Sequence, residues 1–326
     1  AWPTLLAGPI LLYPEFERQL HPKNPNLVCS DGAIQRIVLG YFKVLVVGFA
    51  LESAYWGAIE PVVIDPTRQA KAIGLFHSLR SSDGGWVNFT STMGDLIVGG
   101  GGASPFALGA AMVVYVIYLY FNFSGFIDIV CGLGKLMGMS LPENFDRPWR
   151  AKNMIDFWTR WHMTLANWFK TYVFNPTAKA LSKTRFMGDR RDMVAVLAYF
   201  LTFFLLGVWH GPTIGYIFCG VLLGLGISLN RLHQGIAKRM LGKEMYASLC
   251  SMQIVKVISM GATVSFVGLS ILPFWLSPGL LATLWVEYGF CGIAVAYLCG
   301  VMVYSPVAAL VLLGERFIAG RACIAP

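Results

Sequence analysis

Charge is scarce in this chain. Asp, Glu, Lys and Arg make up 13% of its 326 residues, against ~25% in an ordinary soluble domain. Mean hydropathy is +0.62, and 56% of the residues are hydrophobic. A soluble globular enzyme is therefore excluded. Paired cysteines are missing too: the seven stand at 29, 131, 219, 250, 291, 299 and 323, with no CxxC and no His/Cys spacing suited to a metal. That argues against a disulfide framework and against a resident metal; most of these cysteines sit in apolar runs, where a free thiol packs as a small hydrophobe. No internal repeat is apparent, which speaks against transporter folds built from inverted halves. The chain opens on Ala-Trp-Pro-Thr without Met, basic segment or signal peptide, so it is expected to be a piece of a longer gene product.

What is present is a set of apolar runs. Roughly 34–56, 105–123, 193–210, 212–230, 252–276 and 288–313 each approach the ~20 residues needed to cross a ~30 Å hydrocarbon layer. The expected class is all-α, a polytopic integral membrane protein. The first run is the weakest, interrupted by Arg36, Lys43 and Glu52, and residues 124–139 are expected to form a further buried or half-spanning helix. Residues 1–32 read as a Pro-rich opening segment, and Gly99–Gly102 as a flexible loop.

The net charge of +8 does not point to nucleic acid, because the basic residues collect in loops between apolar runs. Residues 135–191 hold eleven basic and four acidic side chains, and Arg231, Lys238, Arg239 and Lys243 form a second basic loop. By contrast, 57–104 has three basic and four acidic residues. Basic loops stay cytoplasmic. The expected topology places 135–191 and 231–251 inside and 57–104 outside, with membrane lipid as the surrounding partner.

Two histidines stand out. His210 lies in Gly207-Val-Trp-His-Gly-Pro-Thr213, inside 38 residues (193–230) that carry no Asp, Glu, Lys or Arg. A Gly-Pro step breaks a helix, and such breaks at membrane depth are tolerated only where buried in protein or lining a cavity. His210 is either a satisfied core histidine or a reactive group beside such a break. His162 lies in Phe157-Trp-Thr-Arg-Trp-His-Met-Thr-Leu-Ala-Asn-Trp-Phe-Lys170. Here Asn153 reads as an N-cap with Asp156 three residues on. Trp158, Trp161, Leu165, Trp168 and Tyr172 then fall on one continuous helical stripe, so a single amphipathic helix resting at the membrane interface is expected. The apolar surroundings of His162 favour neutral imidazole, the form that accepts a proton. Asp128, in an otherwise apolar run, either pairs with a basic or polar group or lines an aqueous path.

These residues resemble the membrane-bound O-acyltransferase (MBOAT) family, and most closely its bacterial branch typified by the alginate O-acetyltransferase membrane protein. The resemblance is carried by Pro3–Ile10, Tyr120-Phe-Asn-Phe-Ser-Gly-Phe-Ile-Asp128, Gly132-Leu-Gly134, Leu141-Pro-Glu-Asn-Phe145, Asp156–Phe169 and Gly207-Val-Trp-His-Gly211. It is dense from 1 to about 215 and faint beyond. It implies a ring of helices around a thinned centre with a tunnel, with 1–326 a single membrane-embedded acyltransferase domain lacking the family's N-terminal spans. It also implies that His210 is the catalytic residue and His162 a second functional position. Arg160, Trp161, Asn167 and Trp209 are expected near the donor or lining the tunnel, with Ser124 and Asp128 as further site residues. Arg160 and Lys170 are weighed as attractors of a phosphorylated donor against ordinary positive-inside charge.

The function expected on this resemblance is transfer of an acyl group, foremost acetyl, from a cytoplasmic donor such as acetyl-CoA or another acyl thioester, with no bound cofactor. The acceptors are hydroxyls of an extracytoplasmic polysaccharide, reached through a partner acetyltransferase or polysaccharide-modifying protein at the bacterial inner membrane. The run Tyr172-Val-Phe-Asn-Pro-Thr-Ala-Lys179 departs from the Tyr-Ile-Pro-Leu-Gly-Gly-Asn of alginate-type members, leaving the acceptor open. D-alanyl transfer, lipid or protein acylation, and a proton-coupled transporter are the rival readings.

Overall fold

The computed structural model describes residues 9, 10, 17, 31–52, 105–185, 187, 190–276 and 278–322. The expectations for the Pro-rich opening, for 57–104 with its glycine loop, and for Cys29 and Cys323 fall outside them, apart from those few opening positions. Among the described residues the chain is helical, with no strand. Helix α1 (Asp31–Tyr41) continues through a π turn (Phe42–Gly48). It is followed by α2 (Pro105–Leu136), α3 (Met154–Trp158), α4 (Met163–Phe169) and α5 (Asn175–Ser182). Then come α6 (Arg191–Trp209), α7 (Ile214–Leu241), α8 (Lys243–Ser251), α9 (Gln253–Trp275) and α10 (Pro278–Ala322), the last broken at Gly289.

Among the described residues six helices are long and apolar enough to cross a membrane: Gly32–Glu52, Pro105–Leu136, Arg191–Trp209, Ile214–Leu241, Gln253–Phe274 and Tyr288–Glu315. They match the six expected runs in order. Two boundaries differ. Helix α7 runs on to Leu241, so Arg231, Lys238 and Arg239 of the expected basic loop lie on its final turns. Residues 105–136 form a single helix of 32 residues, about 48 Å long at 1.5 Å per residue, and no second helix starts at 124. Gly125 does not break it, because its missing side chain serves packing: a Cβ there would lie 2.8 Å from the Gly40 carbonyl. Small residues let membrane helices approach closely where the hydrophobic effect supplies no force.

Ion pairs fix which helix ends share a side. Arg36 near the start of α1 donates to Asp128 (3.0 Å) and Glu143 (2.7 and 2.6 Å), and Lys43 donates to Asp128 (2.6 Å). Asp128 is thus an ion-paired group, and the charges that weaken the first span as a hydrophobic run are its attachment to α2. Asp192 accepts from Arg231 (2.9 Å) and from Arg239, tying the start of α6 to the end of α7. Arg150 donates to Glu315 (2.6 Å), and the Tyr304 hydroxyl to the Trp149 carbonyl (2.8 Å), bringing the C-terminal helix to the same end. Both basic regions therefore lie on one side of the bundle.

The segment 141–182 departs from expectation. The aromatic stripe is not one helix, because the chain breaks between Trp158 and Met163, where His162 takes a left-handed conformation (φ 42°). Part of the stripe is also packed into the protein. Phe157, Trp161, Leu165 and Phe169 are buried in the main core with Phe203 of α6, Leu223 of α7 and Val264 of α9. Only Trp168 and Tyr172 of the stripe are exposed. Regular spacing by itself implies one surface, whereas the break turns its first half inward. The Asn153 cap is present as expected, its side chain accepting from the Asp156 N–H (2.9 Å).

Candidate active site

The break that presents His162 is held by Asn144, from the Leu141–Phe145 run. The Asn144 carbonyl accepts from the Met163 N–H (2.9 Å), and its side-chain oxygen accepts from the Thr164 N–H (3.1 Å) and hydroxyl (2.7 Å). The first turn of α4 has no cap from its own sequence, so Asn144 supplies one from a distance and satisfies donors that would otherwise be orphaned. Ile10 adds a third stretch of chain, its N–H donating to the Thr164 hydroxyl (3.0 Å). A left-handed conformation costs a non-glycine residue about 1–3 kcal/mol and persists only where the surroundings over-determine it. Here they do. The result aims the His162 ring edge-on at Phe123, near the middle of α2, with ring centres 4.8 Å apart.

His210 reaches the same region from the other direction. It closes α6, its N–H donating to the Gly207 carbonyl (3.1 Å). Gly211 follows at φ 149°, a conformation that favours glycine, and Thr213 caps α7. The two helices return against each other so closely that a Cβ on Gly207 would lie 2.5 Å from the Gly220 Cα. The His210 ring stands edge-on to Trp209 and Phe274, each at 4.8 Å, and the residue stays exposed. Trp209 also faces Phe169 of α4 (6.4 Å).

The Trp209–Phe169 contact joins the His210 turn to α4, which starts one residue after His162. The His162 pKa is lowered from 6.5 to about 4, first by burial and second by the charge of His210. Its Nδ1 is buried without a hydrogen-bond partner. At neutral pH His162 is therefore an uncharged imidazole, the form able to take a proton from a weakly acidic hydroxyl.

The other expected residues divide. Trp209 lies at the site. Ser124 follows Phe123 on α2, with its Oγ buried. Trp161 is committed to the core, stacked on Phe157 (5.4 Å) and edge-on to Phe145 (5.1 Å). Arg160 is held by Asp156 (2.7 Å) and Asp146 (3.1 Å), which neutralises much of its pull on a phosphorylated donor. Asn167 is exposed on α4, and Asp128 belongs to the α1–α2 ion pairs. Asn144, Thr164 and Phe123 carry no role in the sequence pattern; the Leu141–Phe145 and Tyr120–Asp128 motifs contain two of them, but a motif does not say which backbone it caps.

Six apolar helices long enough to cross a membrane define an integral membrane protein, with His162 and His210 each standing at a break between helices. Residues 104–271, slightly more than half of the chain, match the membrane-bound O-acyltransferase family, and the chain belongs to that family. It is 28% identical to the teichoic acid D-alanyltransferase of Bacillus subtilis over 68% of this chain and 47% of that protein. It is 33% identical to the peptidoglycan O-acetyltransferase of Helicobacter pylori over 38% of this chain and 22% of the relative. To the probable alginate O-acetylase of Pseudomonas aeruginosa it is 36% identical, over 38% and 22%. The chain spans about half the length, or less, of these relatives.

Proposed function

We propose that the chain is the membrane-embedded catalytic part of an O-acyltransferase of a bacterial inner membrane, moving an acyl group, foremost acetyl, from a cytoplasmic thioester toward hydroxyls of an extracytoplasmic polysaccharide. The observation that carries this reading is that His162 and His210, from different parts of the chain, each stand at a break between helices and pack edge-on against Phe123 and Phe274, with Trp209 beside His210 reaching Phe169 of α4. His210 takes the proton of the acceptor hydroxyl as its oxygen attacks the thioester carbonyl. The new C–O bond forms, the C–S bond breaks, and the proton passes to the departing thiolate, with His162 as shuttle. General base catalysis of this kind contributes typically ~10²–10⁴-fold. Arrival of the group on a polymer outside calls for a second, extracytoplasmic transferase as partner. The basic 135–191 region then forms the cytoplasmic face.

A second reading concerns the group carried. The relative with 68% coverage of this chain is named for D-alanyl transfer, and that longer match favours an aminoacyl cargo on the same machinery. Membranes containing the protein, supplied with acetyl-CoA, test the first reading by release of free CoA that requires His210. Gradient-driven solute flux without donor turnover would instead support a transporter.

A further inference from the structure

We infer that the side-chain N–H₂ of Asn144 is an oxyanion donor, aimed at the acyl carbonyl oxygen as the acceptor hydroxyl attacks. This rests on the acyltransferase reading and adds a residue to it. The amide orientation follows from its partners: Oδ1 accepts twice from Thr164, so the nitrogen is the other branch. Asn144 has no exposed surface, yet Nδ2 has no hydrogen-bond partner. Buried donors are nearly always satisfied, and an exception calls for a reason. The cap explains the oxygen and leaves the nitrogen unexplained.

Its place supplies the reason. Asn144 bonds the two residues that follow His162, and Phe123 contacts both the neighbouring Phe145 (5.2 Å) and the His162 ring. The Nδ1 of His162 and the indole nitrogen of Trp158 are also buried and unpaired in this turn. A pre-oriented, buried donor without a partner, held against the turn that carries His162, suits a charge that exists only during reaction. As the hydroxyl oxygen bonds the carbonyl carbon, the C=O electron pair moves onto oxygen, where the Asn144 N–H meets it. Collapse restores C=O and expels the thiolate.

The test is Asn144→Asp, which keeps an acceptor oxygen for Thr164 and removes the N–H₂. Thr164→Val serves beside it, weakening the clamp while leaving the N–H₂ in place. Asn144→Asp places a carboxyl at a fully buried position and is expected to lower the melting temperature; in membranes at equal folded protein it is also expected to lower kcat about 10²-fold with KM for acetyl-CoA little changed. Thr164→Val is expected to lower the melting temperature with a smaller loss of kcat. Wild-type rates in Asn144→Asp, or losses that merely follow folded protein in both variants, overturn the donor role. Wild-type membranes run in parallel separate the two claims: no turnover there removes the acyltransferase reading and this role with it, whereas wild-type turnover matched by Asn144→Asp removes this role alone.

Discussion

Gly207 and Gly220 bring the backbones of α6 and α7 into contact: a Cβ on Gly207 would meet the Gly220 Cα at 2.5 Å and the Tyr216 carbonyl at 2.6 Å. His210 closes the same helix one turn later, so its position depends on that contact. Gly207→Ala is expected to destabilise by about 1–3 kcal/mol through overpacking and to reduce acyl transfer as well. Gly314, where an added Cβ would meet nothing within 4 Å, is the control: Gly314→Ala should melt at or above the wild-type temperature. Equal melting of the two variants in detergent would mean the helices separate at little cost.

Asp128 is expected to matter through its partners. Arg36 and Lys43 both donate to it, with side chains 26%, 19% and 12% exposed for Arg36, Lys43 and Asp128. Asp128→Leu strands Lys43 against an apolar helix while Arg36 keeps Glu143, which should cost about 3 kcal/mol, the low end for breaking a buried pair. Replacing all three with Asp128→Leu, Arg36→Met and Lys43→Met removes the stranded charge and should recover part of that loss. Thermal unfolding of both variants decides, and a triple variant no more stable than the single one would contradict the argument.

The spans were legible because their signal is local: an uninterrupted apolar run such as 193–209 declares its length and class without reference to anything else. The turn at His162 was not. Trp158, Trp161, Leu165, Trp168 and Tyr172 keep helical spacing through the break, because the residue that bends the chain there, Asn144, lies far back along the sequence. The roles of His162 and His210 were likewise implied by family resemblance and not by spacing. Asp128 fell between the two cases. Its cost in an apolar run announced a partner, while Arg36 and Lys43, 92 and 85 residues distant, read only as flaws in a weak span.

His162 supplies a pH dependence with a definite sign. Its folded pKa is about 4 against an ordinary 6.5. Below 6.5 the unfolded chain takes up a proton that the folded chain refuses, so stability falls as pH drops through 6.5 toward 4 and is complete above that window. His162→Gln has no such proton. Between about pH 7.5 and about pH 5 the wild type should lose more melting temperature than His162→Gln, and parallel losses would mean the histidine is not held neutral. The same variant should lose acyl transfer at neutral pH, and near-normal transfer would confine His162 to packing.

The topology can be read directly. Lys183 and Met245 lie in the regions that the ion pairs place at one end of the bundle. Cysteines introduced there, in a background whose own cysteines are replaced, should both be labelled from the cytoplasmic side and be shielded from impermeant reagents in intact cells. Labelling of either from outside reverses the orientation and with it the assignment of the donor side.

His210 should be indispensable. No carboxylate lies within 193–230 to act as base in its place, and Asp128 is already engaged by Arg36 and Lys43. The residue is exposed at the end of α6, so truncating its ring removes its contacts with Trp209, Tyr216 and Phe274 but leaves no sealed cavity. His210→Ala is therefore expected to insert and accumulate as the wild type does while losing acyl transfer by at least ~10²-fold, the lower end for a general base. O-acylation of the cell's polymer, measured at matched membrane protein level, gives the answer. Retained acylation would make this histidine structural, and the proton would have to leave the hydroxyl through His162 alone. That route is the poorer one, since an imidazole with a pKa of about 4 is a weaker base than its ordinary counterpart and lies less open to an arriving acceptor.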